Sequence, residues 1–252
     1  MSAWQLGLLV AAAFSAGTLD AIAGGGGLIS LPALLAVGLP PHVALGTNKG
    51  QSMWGTAAAL YTFWRAGRIA PTFFGLLFPL AIVGSCLGTS LVLLLSPETL
   101  RPVVVVMLAV AAIAVWTRAP LGDGDDAPPP PLRAKVVVVA TLLAVYDGFF
   151  GPGTGTFLIV ALALLGHFSL PAASANAKVV NLASNLAAVA IFAYHGDIRW
   201  AIALPMAGAQ ILGGRLGAKI AMRGGARIVR GGVIAVATAL MVKVGYQAFC
   251  AL

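Results

Sequence analysis

Lys178, Asn181 and Asn185 are spaced i, i+3, i+7, so on a helix they share one face. Lys49, Ser52 and Thr56 repeat that spacing in the first half of the chain, each lower in number by 129, with Asn48, Gln51 and Asn176 alongside. The side chains are mostly hydrogen-bond donors, which suits a small anion with several oxygens. A charge in mid-bilayer costs at least ~2.5 kcal/mol. The plain alternative is snorkelling: Lys49 stands eight residues past Pro41, roughly 12 Å along a helix, within a lysine's reach of an interface. Snorkelling accounts for the lysines and not for the amides beside them.

A second feature accompanies each stripe. Gly24, Gly25, Gly26 and Gly27 follow Asp20, and Gly151, Gly153 and Gly155 follow Asp147. Each run interrupts an apolar segment, although each glycine in a helix costs about 1 kcal/mol against alanine. In a bilayer such a break is tolerated only where it is buried in protein or lines a wet cavity. The short helix after each break, expected from Leu28 and from Thr156, presents unpaired N–H groups and a partial positive charge, an anion site. Thr154 and Thr156 add hydroxyls. Glycines also permit close helix packing, and that reading stays open. Asp20 and Asp147 can pair with a lysine, cap the broken helix or carry a proton.

These groups sit in a very apolar chain: 252 residues, 60% hydrophobic, 9% charged, mean hydropathy +0.99. Soluble domains are nearer ~25% charged, so an all-α, polytopic integral membrane protein is expected, with the lipid bilayer as its surroundings. The net charge of +8 is scattered over short loops, which fits membrane orientation and not nucleic acid. Cys86 and Cys250 offer no disulfide or metal pattern. Ala21-Ile22-Ala23 resembles a signal-peptidase site, but Met1–Gln5 holds no Lys or Arg, so a retained first helix is expected. Catalytic, nucleotide and cofactor motifs such as H-E-x-x-H, G-x-S-x-G and the P-loop are missing; no enzyme and no cofactor is expected.

The elements follow. A first helix over 3–21 ends at the glycines. Residues 28–37 are too short to span, since ~20 residues are needed. Residues 43–64, 72–95 and 103–116 complete a first repeat, about 3–117. A Pro- and Asp-rich linker covers 118–133. The second repeat, about 134–250, runs as a helix to Tyr146, a short piece over 156–165, then 170–194, 200–222 and 231–249, with a basic loop over 223–230. The offset in residue number from Asp20 to Asp147 is 127; from Gly27 to Gly155 and Asn48 to Asn176 it is 128; from Lys49 to Lys178, Gly84 to Gly213 and Gly88 to Gly217 it is 129. Polar residues recurring in step with glycines mark an internal duplication. Basic loops sort best to one side when each repeat crosses the membrane an odd number of times. That predicts inverted halves, each with a Gly-broken helix and short half-helix followed by three membrane helices, a cytoplasmic linker and both termini outside. His42 and His167 read as turn residues, Arg215 and Lys219 as snorkelling cations, and Tyr146 as an aromatic packing residue.

At Asp20-Ala21-Ile22-Ala23-Gly24-Gly25-Gly26-Gly27-Leu28-Ile29-Ser30-Leu31-Pro32 and Gly46-Thr47-Asn48-Lys49 the chain resembles the TauE/SafE sulfite exporter (TSUP) family. Asp147-Gly148-Phe149-Phe150-Gly151-Pro152-Gly153-Thr154-Gly155 and Ala175-Asn176-Ala177-Lys178-Val179-Val180-Asn181 carry it in the second half. The resemblance implies a multi-pass transporter of the bacterial inner membrane that exports small sulfur-containing anions, such as sulfite, sulfoacetate or other organosulfonates. The residues themselves leave two alternatives: a carrier of a cation or neutral solute held by Asp20 and Asp147, and a membrane scaffold that transports nothing.

Overall fold

The computed structural model describes residues 2–100, 102–103, 106–107 and 133–250, with side chains up to residue 224 and at Ile228. The 118–133 linker, except Arg133, and most of the helix expected over 103–116 lie outside the described residues. So do the side chains of the 231–249 segment.

The described residues are helical throughout, with no strand. The helices are α1 (Ala3–Ala23), α2 (Gly27–Ala36), α3 (Pro41–Arg65), a π-helical turn (Phe73–Leu77) leading into α4 (Phe78–Leu93), α5 (Ala134–Phe149), α6 (Thr154–Gly166), α7 (Leu170–Tyr194) and α8 (Trp200–Cys250). Ala3–Ala23, Phe73–Leu93 and Leu170–Tyr194 are long and apolar enough to cross a bilayer. Large apolar side chains lie on the outside, and a polar cluster lies within an otherwise apolar interior. Trp4, Tyr61, Trp64, Leu87, Leu142 and Leu212 are exposed, while Lys49, Asn48, Gln51, Lys178 and Asn176 are buried. Such an exterior is stable only against lipid.

One expected boundary is absent. The basic segment 223–230 does not break the chain; α8 runs through it as a single helix of 51 residues. Gly224 and Gly225 lack the proline that would stop a helix, and a glycine weakens one by only about 1 kcal/mol.

The helices are interleaved. α8 packs along α1 and α3, while α4 packs along α5 and α7. Small residues permit the approach. A methyl on Gly213 or Gly217 would stand 2.3 or 2.2 Å from the carbonyls of Phe14 and Thr18; on Gly84 or Gly88 it would stand 3.0 or 2.0 Å from those of Thr141 and Val145. The two sets are related by an offset of 129 on the glycine side and 127 on the carbonyl side. The expected G-x-x-x-G contact at Gly84 and Gly88 is therefore present, and each fourth element seats itself on the opposite half of the sequence.

The same exchange fixes the loops. Thr47 Oγ1 accepts from the Arg199 N–H at 3.0 Å, and Asn176 Oδ1 accepts from the Ala70 N–H at 2.9 Å. Both members of one contact are offset by 129 from those of the other. By its contacts Asn176 thus corresponds to Thr47, and the pairing with Asn48 at an offset of 128 is corrected.

Candidate functional site

α1 ends where Gly24, at φ +76°, donates its N–H to the Asp20 carbonyl at 2.8 Å. Gly151, at φ +96°, follows the end of α5. Left-handed backbone at these two positions is cheap only for glycine. The breaks touch one another: a methyl on Gly24 would sit 2.0 Å from the Gly155 carbonyl carbon, and one on Gly155 would sit 2.5 Å from Gly24 Cα. A methyl on Gly26 would meet the Ala16 carbonyl at 2.6 Å. The glycines therefore do serve close packing, and Gly24, Gly26, Gly27, Gly151 and Gly155 also wall a cavity.

The other walls of that cavity are Asp20, Asn48, Lys49, Ser52, Thr56, Asp147, Asn181, Asn185 and Gln210. About 30 Å³ is open to water centres, room for two or three waters at the ~10–15 Å³ each needs. Lys49 Nζ donates to Asp147 Oδ1 at 2.8 Å and to Asn185 Oδ1 at 3.1 Å. Lys178 Nζ donates to Asp20 Oδ2 at 2.8 Å and to the Asp20 carbonyl. Each aspartate thus pairs with the lysine of the other half. Neither lysine snorkels: Lys49 is 3% exposed and Lys178 is 0%. With every group ionised, the four side chains carry no net charge.

Several acceptors lack a donor among the described residues. Asp147 Oδ2, Asn181 Oδ1 and Gln51 Oε1 are buried without a hydrogen bond. An orphaned buried polar atom costs about 1–3 kcal/mol. Two of these residues, Asp147 and Asn181, line the cavity.

Not every expected residue reaches the cavity. Gly25, Gln51, Gly153, Thr154, Thr156, Asn176 and Lys178 do not line it. Gln51 donates to Asn48 Oδ1 at 3.1 Å and Ser52 Oγ at 3.0 Å, which holds two lining residues. The Thr154 hydroxyl goes to the Gly151 carbonyl and that of Thr156 to the Ala23 carbonyl, each at 2.7 Å. Both brace the breaks. Asn176 also donates to the Arg68 and Ala172 carbonyls at 3.3 and 2.8 Å, and holds a loop. Tyr146 donates its hydroxyl to the Pro152 carbonyl at 2.8 Å, so it clamps the second break besides packing against Phe150 and Phe157. Arg215 and Lys219 are exposed.

Gln210 escaped the sequence reading. It belongs to neither motif, and its equivalent in the first half, at an offset of 129, is Ala81. The available signal was a glutamine in the middle of an apolar helix, a costly placement that points to a polar interior.

A family model described as "Sulfite exporter TauE/SafE" matches residues 9–244. A "probable membrane transporter protein" of Haemophilus influenzae is 38% identical over 244 residues, covering 96% of this chain and 95% of the relative. The "probable membrane transporter protein ORF9" of Sinorhizobium sp is 33% identical over 94% of this chain and 91% of its own. The "probable membrane transporter protein YfcA" of Escherichia coli is 32% identical over 96% of this chain and 90% of its own.

Proposed function

The chain belongs to the sulfite exporter TauE/SafE family of membrane transporters, and on that premise we propose that it exports small sulfur-containing anions across a bacterial inner membrane. Sulfite, sulfoacetate and other organosulfonates are the solutes in view. No bond is made or broken in this reading; the protein is a carrier or facilitator and not an enzyme.

The observation that carries the reading is the buried polar cavity between the two breaks, with Lys49 at its wall. An ammonium and the amides of Asn48, Asn181 and Asn185 form a donor set for oxyanions; the N–H groups expected to be unpaired from Leu28 onward are instead spent on the Gly25 and Gly26 carbonyls. The arriving anion competes with Asp147 for Lys49. It gains a charge-assisted bond while the carboxylate turns away or takes a proton. The two breaks close on one another at Gly24 and Gly155, and in this reading their parting opens the path into the cavity. Alternating access then follows from opening one side at a time.

Inverted halves, with the 118–133 linker cytoplasmic, supply the two sides. Outward movement of an anion from a negative-inside cell is favoured by ~2.3 kcal/mol per charge per 100 mV, so a uniporter suffices. The linker side is checked with Asp125→Cys in intact cells, which should resist membrane-impermeant maleimide; ready labelling would overturn the inverted arrangement.

One observation favours a second reading. The unpartnered Asp147 Oδ2 is what a cation or a neutral donor would seek. Calorimetry and thermal shift on purified protein separate the readings. Sulfite or sulfoacetate should bind and raise the melting temperature. Stabilisation by alkali cations with indifference to these anions would favour the cation carrier, and indifference to all solutes would favour a scaffold.

A further inference from the structure

Gln210 is 3% exposed, about three turns into α8, and its carboxamide makes no hydrogen bond among the described residues. Its oxygen occupies a slot made by two other helices. A methyl on Gly17 of α1 would stand 2.7 Å from Gln210 Oε1, and a methyl on Gly55 of α3 would stand 2.4 Å from it. Any side chain at either position would displace the amide. Such spacing keeps the carboxamide at the cavity wall without supplying a protein partner for it.

The corresponding place in the other half is filled differently. Ala81 replaces Gln210, Ala144 replaces Gly17 and Ser184 replaces Gly55, at offsets of 129, 127 and 129. All three are buried. One half has two glycines around an amide at the cavity wall; the other has two alanines and a serine, whose hydroxyl is buried without a partner and away from the cavity. A helix-to-helix polar tie would be hydrogen-bonded across the interface, and this one is not. A buried amide with no protein partner is satisfied by what enters the cavity.

We propose that Gln210 contacts the transported anion and helps determine which anion is accepted, its amide N–H groups donating to a solute oxygen. The assignment rests on the anion-export reading. Lys49 is already neutralised by Asp147, whereas the amide has no competing partner. Like the asparagine amides of the cavity, it is a donor that an oxyanion can take without displacing a carboxylate. Discrimination should be greatest between solutes that place an oxygen differently around sulfur, such as sulfite and sulfoacetate.

The test compares full-length purified protein with Gln210→Leu and Gln210→Met, which retain much of the volume and remove the donor. Binding of sulfite and of sulfoacetate is measured by calorimetry, with melting temperature alongside. Both variants should melt close to wild type and bind sulfite at least about tenfold more weakly, with a changed ratio of sulfite to sulfoacetate affinity. A folded variant with wild-type affinities and ratio overturns the assignment and leaves the export reading intact. Variants that cannot fold overturn it as well, because the amide would then be a structural partner. Wild-type protein that binds neither anion removes the export reading, and this assignment with it.

Discussion

The two lysine–aspartate pairs are alike in sequence and length and unlike in surroundings. Lys49 faces the cavity, shares itself between Asp147 and Asn185, and leaves Asp147 Oδ2 without a donor. Lys178 is sealed from the cavity and holds both the carboxylate and the carbonyl of Asp20, and there the aspartate is the more exposed partner, at 20%. In one pair the cation is available; in the other the anion is. The two pairs thus differ in place within one state: Lys49 stands at the cavity wall, where the proposed function puts the solute, and Lys178 clamps the end of α1. Buried ion pairs commonly add little net stability, yet removing one partner is severe. The clamp and the contact should therefore respond differently to truncation.

The largest expected effect is at the clamp. Lys178→Ala removes a fully enclosed side chain and leaves the Asp20 carboxylate without its cation. A loss of ~3–5 kcal/mol, at ~2–4 °C per kcal/mol for a chain of this size, should lower the melting temperature by roughly 10 °C. Protein that survives should bind sulfite near wild-type affinity. Unchanged melting with lost binding would mean that Lys178, and not Lys49, faces the solute.

Lys49→Ala comes next. Losing a charge-assisted bond costs ~1.5–3 kcal/mol, about 10- to 100-fold in affinity. Arg215→Ala is the control, since Arg215 is exposed on α8 and should leave affinity unchanged. Calorimetry that ranks Arg215→Ala as the more damaging change would show that the wrong cation has been chosen.

The aspartates sharpen the contrast. Asp147→Asn frees Lys49 at the cavity wall, so an anion no longer competes with a carboxylate. Sulfite affinity should rise about tenfold, and the variant's lowered melting temperature should recover on adding sulfite. Asp20→Asn leaves Lys178 with neutral oxygens only and no counter-charge in a sealed place, and added sulfite should recover little. Equal recovery in both variants would make the two pairs equivalent and remove the asymmetry.

Much of this arrangement was legible in the chain. The glycine runs, the buried stripe from Lys49 to Thr56 and its counterpart from Lys178 to Asn185 follow from helical periodicity and from the cost of polar groups in lipid. Three things were not legible. Which lysine faces the cavity depends on small differences in how α1 and α5 end, and periodicity places both lysines alike. Thr154 and Thr156 have the right chemistry, but their hydroxyls are taken by carbonyls that only the folded breaks bring near. Gln210 lies on a helix whose neighbours come from the other half, so no local pattern reports that Gly17 and Gly55 face it.

Asn48 and Asn176 pose the smallest test. Both are asparagines after a small residue near the start of a long helix, and a one-residue difference in offset decides whether they correspond. Asn48 lines the cavity and accepts from Ser30 at 2.6 Å and Gln51 at 3.1 Å. Asn176 does what Thr47 does, accepting a backbone N–H from the start of a fourth element. Asn176→Thr should therefore be mild. A threonine hydroxyl can still accept from the Ala70 N–H, while the amide's donations to Arg68 and Ala172 are lost. At about 1 kcal/mol, the melting temperature should fall by ~2–4 °C, and sulfite affinity should not change. Asn48→Thr removes an amide donor from the cavity wall and should weaken sulfite binding with a comparably small change in melting. If Asn176→Thr instead weakens sulfite binding tenfold at constant melting temperature, Asn176 lies on the solute's path, and the correspondence with Thr47 is accidental.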